Sequence, residues 1–274
     1  AQKGVLVDHI RSFVIKLLSI YPMNKDSLII DVGSNDGTLL KCFKDLGYDN
    51  ILGVDPVGDI AEDATRKGIP TITGYMNEKT SKQIINKYGK ANLVTAFNVY
   101  AHANDLSGMT KAIKTVLDTK GTFVFEVSYL LDVVQKLLIG TIFHEHLSYH
   151  SVKPIKTFLK SHGLKLIHVD RNSEQGGSII GYVKFDNGFH KSGESVKLLL
   201  KTEKDYNLDQ YDTINKFYER LELIKKEIIR LIGNIKDNNK SLAAYGAARS
   251  GTTLLSYFNI GKEIDFIVDD NKNK

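Results

Sequence analysis

The sequence predicts an α/β fold: a mostly parallel seven-stranded sheet covered by helices on both faces, followed by a smaller C-terminal α/β module. Three observations carry this. Short apolar runs alternate with segments of helical apolar spacing as far as residue 185. A glycine-rich turn joins the first run to a helix. After Asp186 the texture becomes long, charged and helical. Strands alternating with helices require crossover connections, and crossovers make neighbouring strands parallel.

Residues 5–20 carry Val5, Ile10, Phe13, Val14, Leu17 and Leu18 at helical spacing. Residues 27–32 read as a buried strand and 38–46 as a helix. A second strand at 51–54 precedes a helix at 60–67, and a third at 69–73 precedes a helix at 79–87. The fourth strand is 93–97, with a helix at 106–119, and the fifth is 122–127. An apolar helix follows it, then a histidine-rich stretch and a helix at 152–162. Strands at 164–169 and 178–185 close the set. The loop between these two has no room for a crossover, so they are expected to be antiparallel. Residues 192–237 read as helical. A strand at 241–245, a turn at 246–251, a helix at 252–258 and a strand at 264–268 follow. A domain boundary is expected near residue 188, giving domains 1–188 and 189–274. A unit that stops directly after a strand predicts a fragment of a longer protein.

Composition narrows the classes. The excess of 37 basic over 32 acidic residues, net +5, is small and spread out. It does not argue for nucleic-acid binding and supports at most a preference for anionic ligands. Cys42 is the single cysteine, which rules out a disulfide within the chain and a cysteine-based zinc site. A reducing, cytoplasmic compartment is expected. Asp8, His9 and Arg11 interrupt the apolar residues of the first segment, so it reads as an amphipathic helix and not a signal peptide. No uncharged apolar run approaches the roughly 18 residues of a membrane span.

Asp31-Val-Gly-Ser-Asn-Asp-Gly37 ends the first strand and opens a helix. Gly33 and Gly37 permit positive φ and close backbone approach. The turn departs from G-x-G-x-x-G, which weakens a dinucleotide reading. Asp31 and Asp36 place carboxylates where a phosphate would be repelled and a cationic adenosyl cofactor, S-adenosylmethionine, attracted. Asp55, followed by Pro56, ends the second strand, where a carboxylate can accept both ribose hydroxyls. The bland alternative is a strand–helix junction capped by glycine and aspartate. Ser34 and Asn35 complete the turn. Asn98 and His102, after the fourth strand, are expected at the same crevice, because ligands bind at the carboxyl ends of such strands. Tyr75 and Met76 follow the third strand and either flank an adenine or merely pack a loop.

Thr141-Ile-Phe-His-Glu-His-Leu-Ser-Tyr-His150 holds three of the eight histidines. A metal site, a polar loop and acid–base catalysis compete for it. His-Glu-His is not the His-Glu-x-x-His metal pattern, so no metal is expected. Histidine titrates near neutrality and a neighbouring glutamate can orient it, which favours acid–base work.

These motifs, with Ala244-Tyr-Gly-Ala-Ala-Arg-Ser-Gly-Thr-Thr-Leu-Leu255 and Asp265-Phe-Ile-Val-Asp-Asp-Asn271, resemble the sugar C-methyltransferases that act on nucleotide-linked 4-keto-deoxysugars. The resemblance runs from about residue 5 to the end. It implies a class I methyltransferase sheet of Rossmann-like type, S-adenosylmethionine as cofactor and a C-terminal domain that helps hold a sugar nucleotide. It places the family's base, the second histidine of Tyr-His-Glu-His, on His146, its glutamate on Glu145 and a further histidine on His102. His144 and His102 are candidate donors to an enolate oxygen. Phe143 stands where the family has tyrosine, and the family's cysteine-rich zinc-binding domain has no counterpart in this sequence. Phe143, Tyr149, Gly246, Arg249 and Ser250 are expected at the substrate, with the 246–251 turn on its diphosphate; a bare structural turn is the alternative. Two other functions stay open: an O- or N-methyltransferase, and a non-catalytic binding module.

Overall fold

The computed structural model describes residues 2–187 and 189–270, with the side chains of residues 2–6 and Arg249 outside the described set. A seven-stranded sheet runs in the order β3-β2-β1-β4-β5-β7-β6. Its members are β1 (Ile29–Val32), β2 (Ile51–Asp55), β3 (Thr71–Thr73), β4 (Ala91–Phe97), β5 (Leu117–Ser128), β6 (Leu164–Asn172) and β7 (Ser178–Phe185). The first five are parallel, and β7 lies antiparallel between β5 and β6. The α/β class with a closing hairpin is as the sequence predicts.

Successive residues of a strand point to opposite faces, and both faces here are apolar. Ile29, Ile51, Leu93, Val124 and Tyr182 meet α1 (Gln2–Ile20) and α2 (Thr38–Asp45) through Phe13, Val14, Leu17, Leu40 and Phe43. Ile30, Leu52, Val94, Phe123 and Phe125 meet the other side through Ile84 of α4 (Glu78–Tyr88), Ile113 of α5 (Leu106–Val116) and Ile155 and Leu159 of α7 (Val152–Ser161). Each such side chain contributes roughly 1.5–3 kcal/mol by leaving water. α3 (Gly58–Arg66) carries the chain from β2 to β3, and α6 (Leu130–Lys136) follows β5.

Two departures from the predicted elements have local causes. β6 extends to Asn172 because its polar end finds partners: Arg171 forks onto Asp132 at 2.8 and 2.9 Å, and Asn172 donates to Glu126 at 2.9 Å. The long helical region divides into α8 (Glu194–Asp205) and α9 (Tyr211–Asp237), with Asn207 at φ 54° in the break. Although α8 follows residue 188, its Val196 and Leu199 join the core of the main sheet. Beyond it, β8 (Ala243–Tyr245) and β9 (Phe266–Val268) pair in parallel, joined through α10 (Arg249–Phe258). Among the described residues no helix is long and apolar enough to cross a membrane.

Candidate active site

The parallel strands β1, β2, β4 and β5 end along one edge of the sheet. At β1, Gly33 has φ 70°, and a Cβ there would overlap Val99 Cγ2; at Gly37 (φ 78°) it would meet Ile69 at 2.9 Å. Only glycine fits either place. The Gly33 N–H donates to the Val54 carbonyl at 2.7 Å, tying the turn to β2. Asp55 closes the same junction: its Oδ2 accepts from the Asn35 N–H at 2.8 Å and its Oδ1 from the Val57 N–H at 2.9 Å. Each oxygen keeps acceptor capacity for a hydroxyl. Pro56 follows in the bend between these contacts.

Asp31 is buried, and its Oδ1 accepts from Thr95 Oγ1 at 2.6 Å. Burial pushes its carboxyl up to about 7; the Thr95 bond opposes the shift and Asp55 adds to it. Asp36 behaves otherwise. It is exposed and accepts from the Thr38 N–H and hydroxyl at the start of α2, which is a capping role. Ser34 is buried with its hydroxyl beneath Gly53, turned into the sheet. Asn98 has φ 55° and its N–H donates to the Glu126 carbonyl at 2.8 Å, so it sits at the junction of β4 and β5. Tyr75 is 72% exposed, whereas Met76 is buried in the core.

His102 ends a 3-10 turn, Tyr100–His102, just past β4. The histidine stretch returns to it. The Leu147 N–H donates to the Ala101 carbonyl at 2.7 Å, and the His102 and His146 rings lie 4.8 Å apart, edge to face. Each ring is held by a carbonyl, His102 Nδ1 by Glu145 at 2.8 Å and His146 Nδ1 by Thr141 at 2.7 Å. A carbonyl only accepts, so each Nδ1 carries the proton, and in a neutral ring Nε2 keeps its lone pair. Burial pushes the His146 pKa down; the Thr141 bond opposes this, His102 adds to it and Glu145 opposes it. Burial and His102 thus favour the neutral ring of His146, with its proton on Nδ1.

The other residues of the stretch separate. Phe143 packs at a tilt on His146 with ring centroids 4.2 Å apart, and the Tyr149 ring lies 6.2 Å from it. His144 is 85% exposed and reaches Glu145 at 3.9 Å, outside the ring pair. His150 is buried against Tyr100 with its pKa pushed down to about 4 by desolvation, so it is a neutral core histidine. Among the described residues no three His, Cys, Asp or Glu side chains gather as metal ligands.

Sequence reasoning missed Glu126, near the end of β5. It is buried on the same face as Val124, accepts from Asn172, and lies 3.6 Å from His9 of α1, which is itself 3.6 Å from Glu174. Burial raises its pKa, opposed by Asn172 and His9. One acid inside the otherwise apolar run 123–127 was the available signal. A cavity of about 840 Å³ lies elsewhere, near the start of β5, lined by Lys90, Lys114 and His162. Its groups already satisfy one another: Lys114 donates to the His162 carbonyl at 2.7 Å, and Ser107 bonds the His162 ring at 2.8 Å.

In the C-terminal unit, the Gly246 N–H donates to the Val268 carbonyl, and the Ala247 N–H donates to Asp269 Oδ2 at 2.7 Å. Arg249 begins α10, and its side chain lies outside the described residues. Ser250 packs against Gly140, in the 3-10 turn Ile139–Thr141 that precedes the histidine stretch.

The strand order and the glycine turn define a methyltransferase-type α/β domain. The chain belongs to the methyltransferase-domain family, whose model matches residues 8–169. A model described as the C-methyltransferase C-terminal domain matches residues 173–274. The C-methyltransferase NovU of Streptomyces niveus is 29% identical over 267 residues, which are 97% of this chain and 63% of that protein. The chain thus spans less than two-thirds of that relative's length. Among solved structures, magnesium protoporphyrin IX methyltransferase from Synechocystis PCC 6803, with bound SAH, superposes with TM-score 0.50 at 18% identity, covering 65% of this chain and 82% of that one. A S-adenosylmethionine-dependent methyltransferase from Clostridium acetobutylicum gives TM-score 0.50 at 16% identity over 64% of this chain and 90% of its own. These likenesses concern the fold.

Proposed function

We propose that this chain binds S-adenosylmethionine and methylates the carbon beside the ketone of a nucleotide-linked keto-deoxysugar. The observation that carries the reading is the His102–His146 pair at the end of β4, with His146 Nδ1 tied to a carbonyl and Nε2 left with its lone pair. The similarity to a C-methyltransferase over nearly the whole chain supports carbon as the acceptor.

The donor set fits the cofactor. A buried Asp31 that holds a proton near neutrality gains from a neighbouring cation, and Asp55 offers acceptors to a ribose diol. Gly33, Asn35, Gly37, Pro56, Tyr75 and Asn98 line the same strand ends, with Ser34 and Asp36 shaping the turn from behind. The cofactor supplies an electrophilic methyl group and leaves as a neutral thioether. His146 Nε2 removes the proton from the carbon next to the ketone, a role worth roughly 10²–10⁴-fold. His102, whose Nδ1 is already committed to Glu145, donates from Nε2 to the enolate oxygen when its ring carries a second proton. One such donor is worth about 2.7–4 kcal/mol. Glu145 holds His102 through its carbonyl, and His144 takes no part in this geometry.

Phe143 and Tyr149 flank the base and contact the sugar. Residues 189–274 form the substrate-holding domain, with Gly246, Arg249 and Ser250 at the nucleotide diphosphate. An anion there replaces Asp269 at the Ala247 N–H. The experiment is calorimetric titration with S-adenosylmethionine and S-adenosylhomocysteine, then deuterium wash-in at the sugar carbon without cofactor. Micromolar binding and His146-dependent exchange are expected. Binding without exchange points to O- or N-methylation, and absence of binding to a folded sample removes the proposal.

A further inference from the structure

We propose that the C-terminal unit positions the base: Ser250 of α10 seats the turn Ile139–Thr141, and that turn aims the Thr141 carbonyl at His146 Nδ1. The consequence for turnover rests on the reading of His146 as the base; the positioning itself does not.

The chain of contacts is continuous. A Cβ at Gly140 would lie 3.2 Å from Ser250 Cβ and 3.8 Å from its Oγ, so the start of α10 rests directly on the turn. The turn is closed by its own bonds, Thr141 N–H to the Leu138 carbonyl at 3.0 Å and Ile142 N–H to the Ile139 carbonyl at 2.9 Å. It therefore shifts as a unit. Its outward carbonyl, Thr141, accepts from His146 Nδ1 at 2.7 Å and from the Tyr149 hydroxyl at 3.4 Å. One backbone oxygen thus orients two side chains of the candidate site.

This oxygen sets the tautomer. A neutral imidazole has one N–H, and the nitrogen that keeps it is the one with an acceptor. With Thr141 in place the proton sits on Nδ1 and Nε2 can take another. With Thr141 displaced, the ring is free to carry its proton on Nε2, where it cannot act as a base. The groups that face the ring are His102, Glu145, Tyr149 and Phe143, and none is a carbonyl fixed to α10.

Gly140 allows a direct test, since its φ lies outside the left-handed region and alanine there changes space and not backbone. Gly140→Ala presses on Ser250 and displaces the turn by a few tenths of an ångström. Long-range ¹H–¹⁵N NMR of imidazole-labelled protein reads the His146 tautomer. The native ring is expected in the Nδ1–H form and the variant in a mixture. Turnover is expected to fall about tenfold in kcat with little change in KM, since misplacement near a catalytic group by about 1 Å costs about 10²-fold. The acidic limb of the rate profile moves to lower pH, because the lost Thr141 bond had favoured the protonated ring. Ser250→Gly in the Gly140→Ala background removes the opposing Cβ and restores the tautomer. Should Gly140→Ala fail to fold, Ser250→Val presses from the other side and is expected to shift the His146 tautomer in the same way, read by NMR without substrate. A folded variant that keeps the native tautomer and pH limb overturns the proposal. A tautomer that shifts as expected in a protein without methyl transfer would instead sink the functional reading and leave the positioning intact.

Discussion

The two halves of the crevice are built on different principles. On the carboxylate side, Asp31 and Asp55 stand on strand ends, and the ladder that pairs Asp31 with Gly53 fixes their separation. On the histidine side, residues 139–151 contain one 3-10 turn and no strand or α-helix. His102 and His146 are aimed by borrowed carbonyls, and the far end of the stretch is anchored by Glu203 of α8. That buried carboxylate accepts from the Tyr129 hydroxyl and from the N–H groups of Val152 and Lys153, at 3.0, 2.5 and 3.0 Å, and so caps α7. A sheet positions charge through register, whereas a loop needs each side chain tied individually. The first half is expected to tolerate single changes in geometry and the second to fail by them.

His146→Gln separates the halves most sharply. It is expected to lower turnover by roughly 10²–10⁴-fold and leave the calorimetric affinity for S-adenosylmethionine unchanged; a matching loss of affinity would show that the halves are not independent. Glu203→Ala leaves buried N–H donors unpaired, at about 1–3 kcal/mol for each unsatisfied group. Urea denaturation should show a loss of about 2–6 kcal/mol for the two N–H donors, with activity impaired in the surviving fold. Asp55→Ala releases the Asn35 and Val57 amides and the ribose acceptors. Hydrogen bonds to a charged group are worth about 1.5–3 kcal/mol, so cofactor affinity should weaken roughly 10–100-fold.

The smallest effect is the pH dependence of cofactor affinity. The Asp31 carboxyl is raised to about 7 in the fold, so it binds a proton that the unfolded chain releases near 4. Stability from this group therefore declines as pH rises from about 4 to about 7 and is flat above. A cation placed beside it expels the proton, so affinity should fall by at most about tenfold per unit as pH drops below 7. Asp31→Asn should flatten that slope and gain thermal stability over the parent at pH 8 more than at pH 5. An unchanged slope would place the cation elsewhere.

The carboxylate side was legible in the sequence because its logic is local. An apolar run, a glycine turn and an acid at the next strand end are each visible within a few residues. The histidine stretch was legible as chemistry and not as geometry. His144, His146 and His150 lie within seven residues, yet one faces solvent, one faces the crevice and one is in the core. No period sorts side chains in a segment without regular structure. Glu126, His9 and Glu203 escaped because their partners are distant in the chain: Glu203 reaches Val152 across 51 positions. The end of β6 was misjudged for the same reason, since Arg171 and Asn172 look like loop residues until Asp132 and Glu126 stand beside them.

The first helix has a consequence of its own. Phe13 packs at a tilt on Phe97 with ring centroids 4.5 Å apart, Tyr21, just past its end, stacks on Tyr182 at 5.6 Å, and Lys16 pairs with Asp170 at 2.7 Å. α1 thus docks in part on β6 and β7, which are made some 150 residues after it. At about 5–20 residues per second, the ribosome takes about ten to thirty seconds to travel from one to the other. Throughout that interval the apolar stripe of α1 has no finished surface to cover. During synthesis this stripe stays open to chaperone capture until β7 is made, and its docking marks the completion of the seven-stranded sheet.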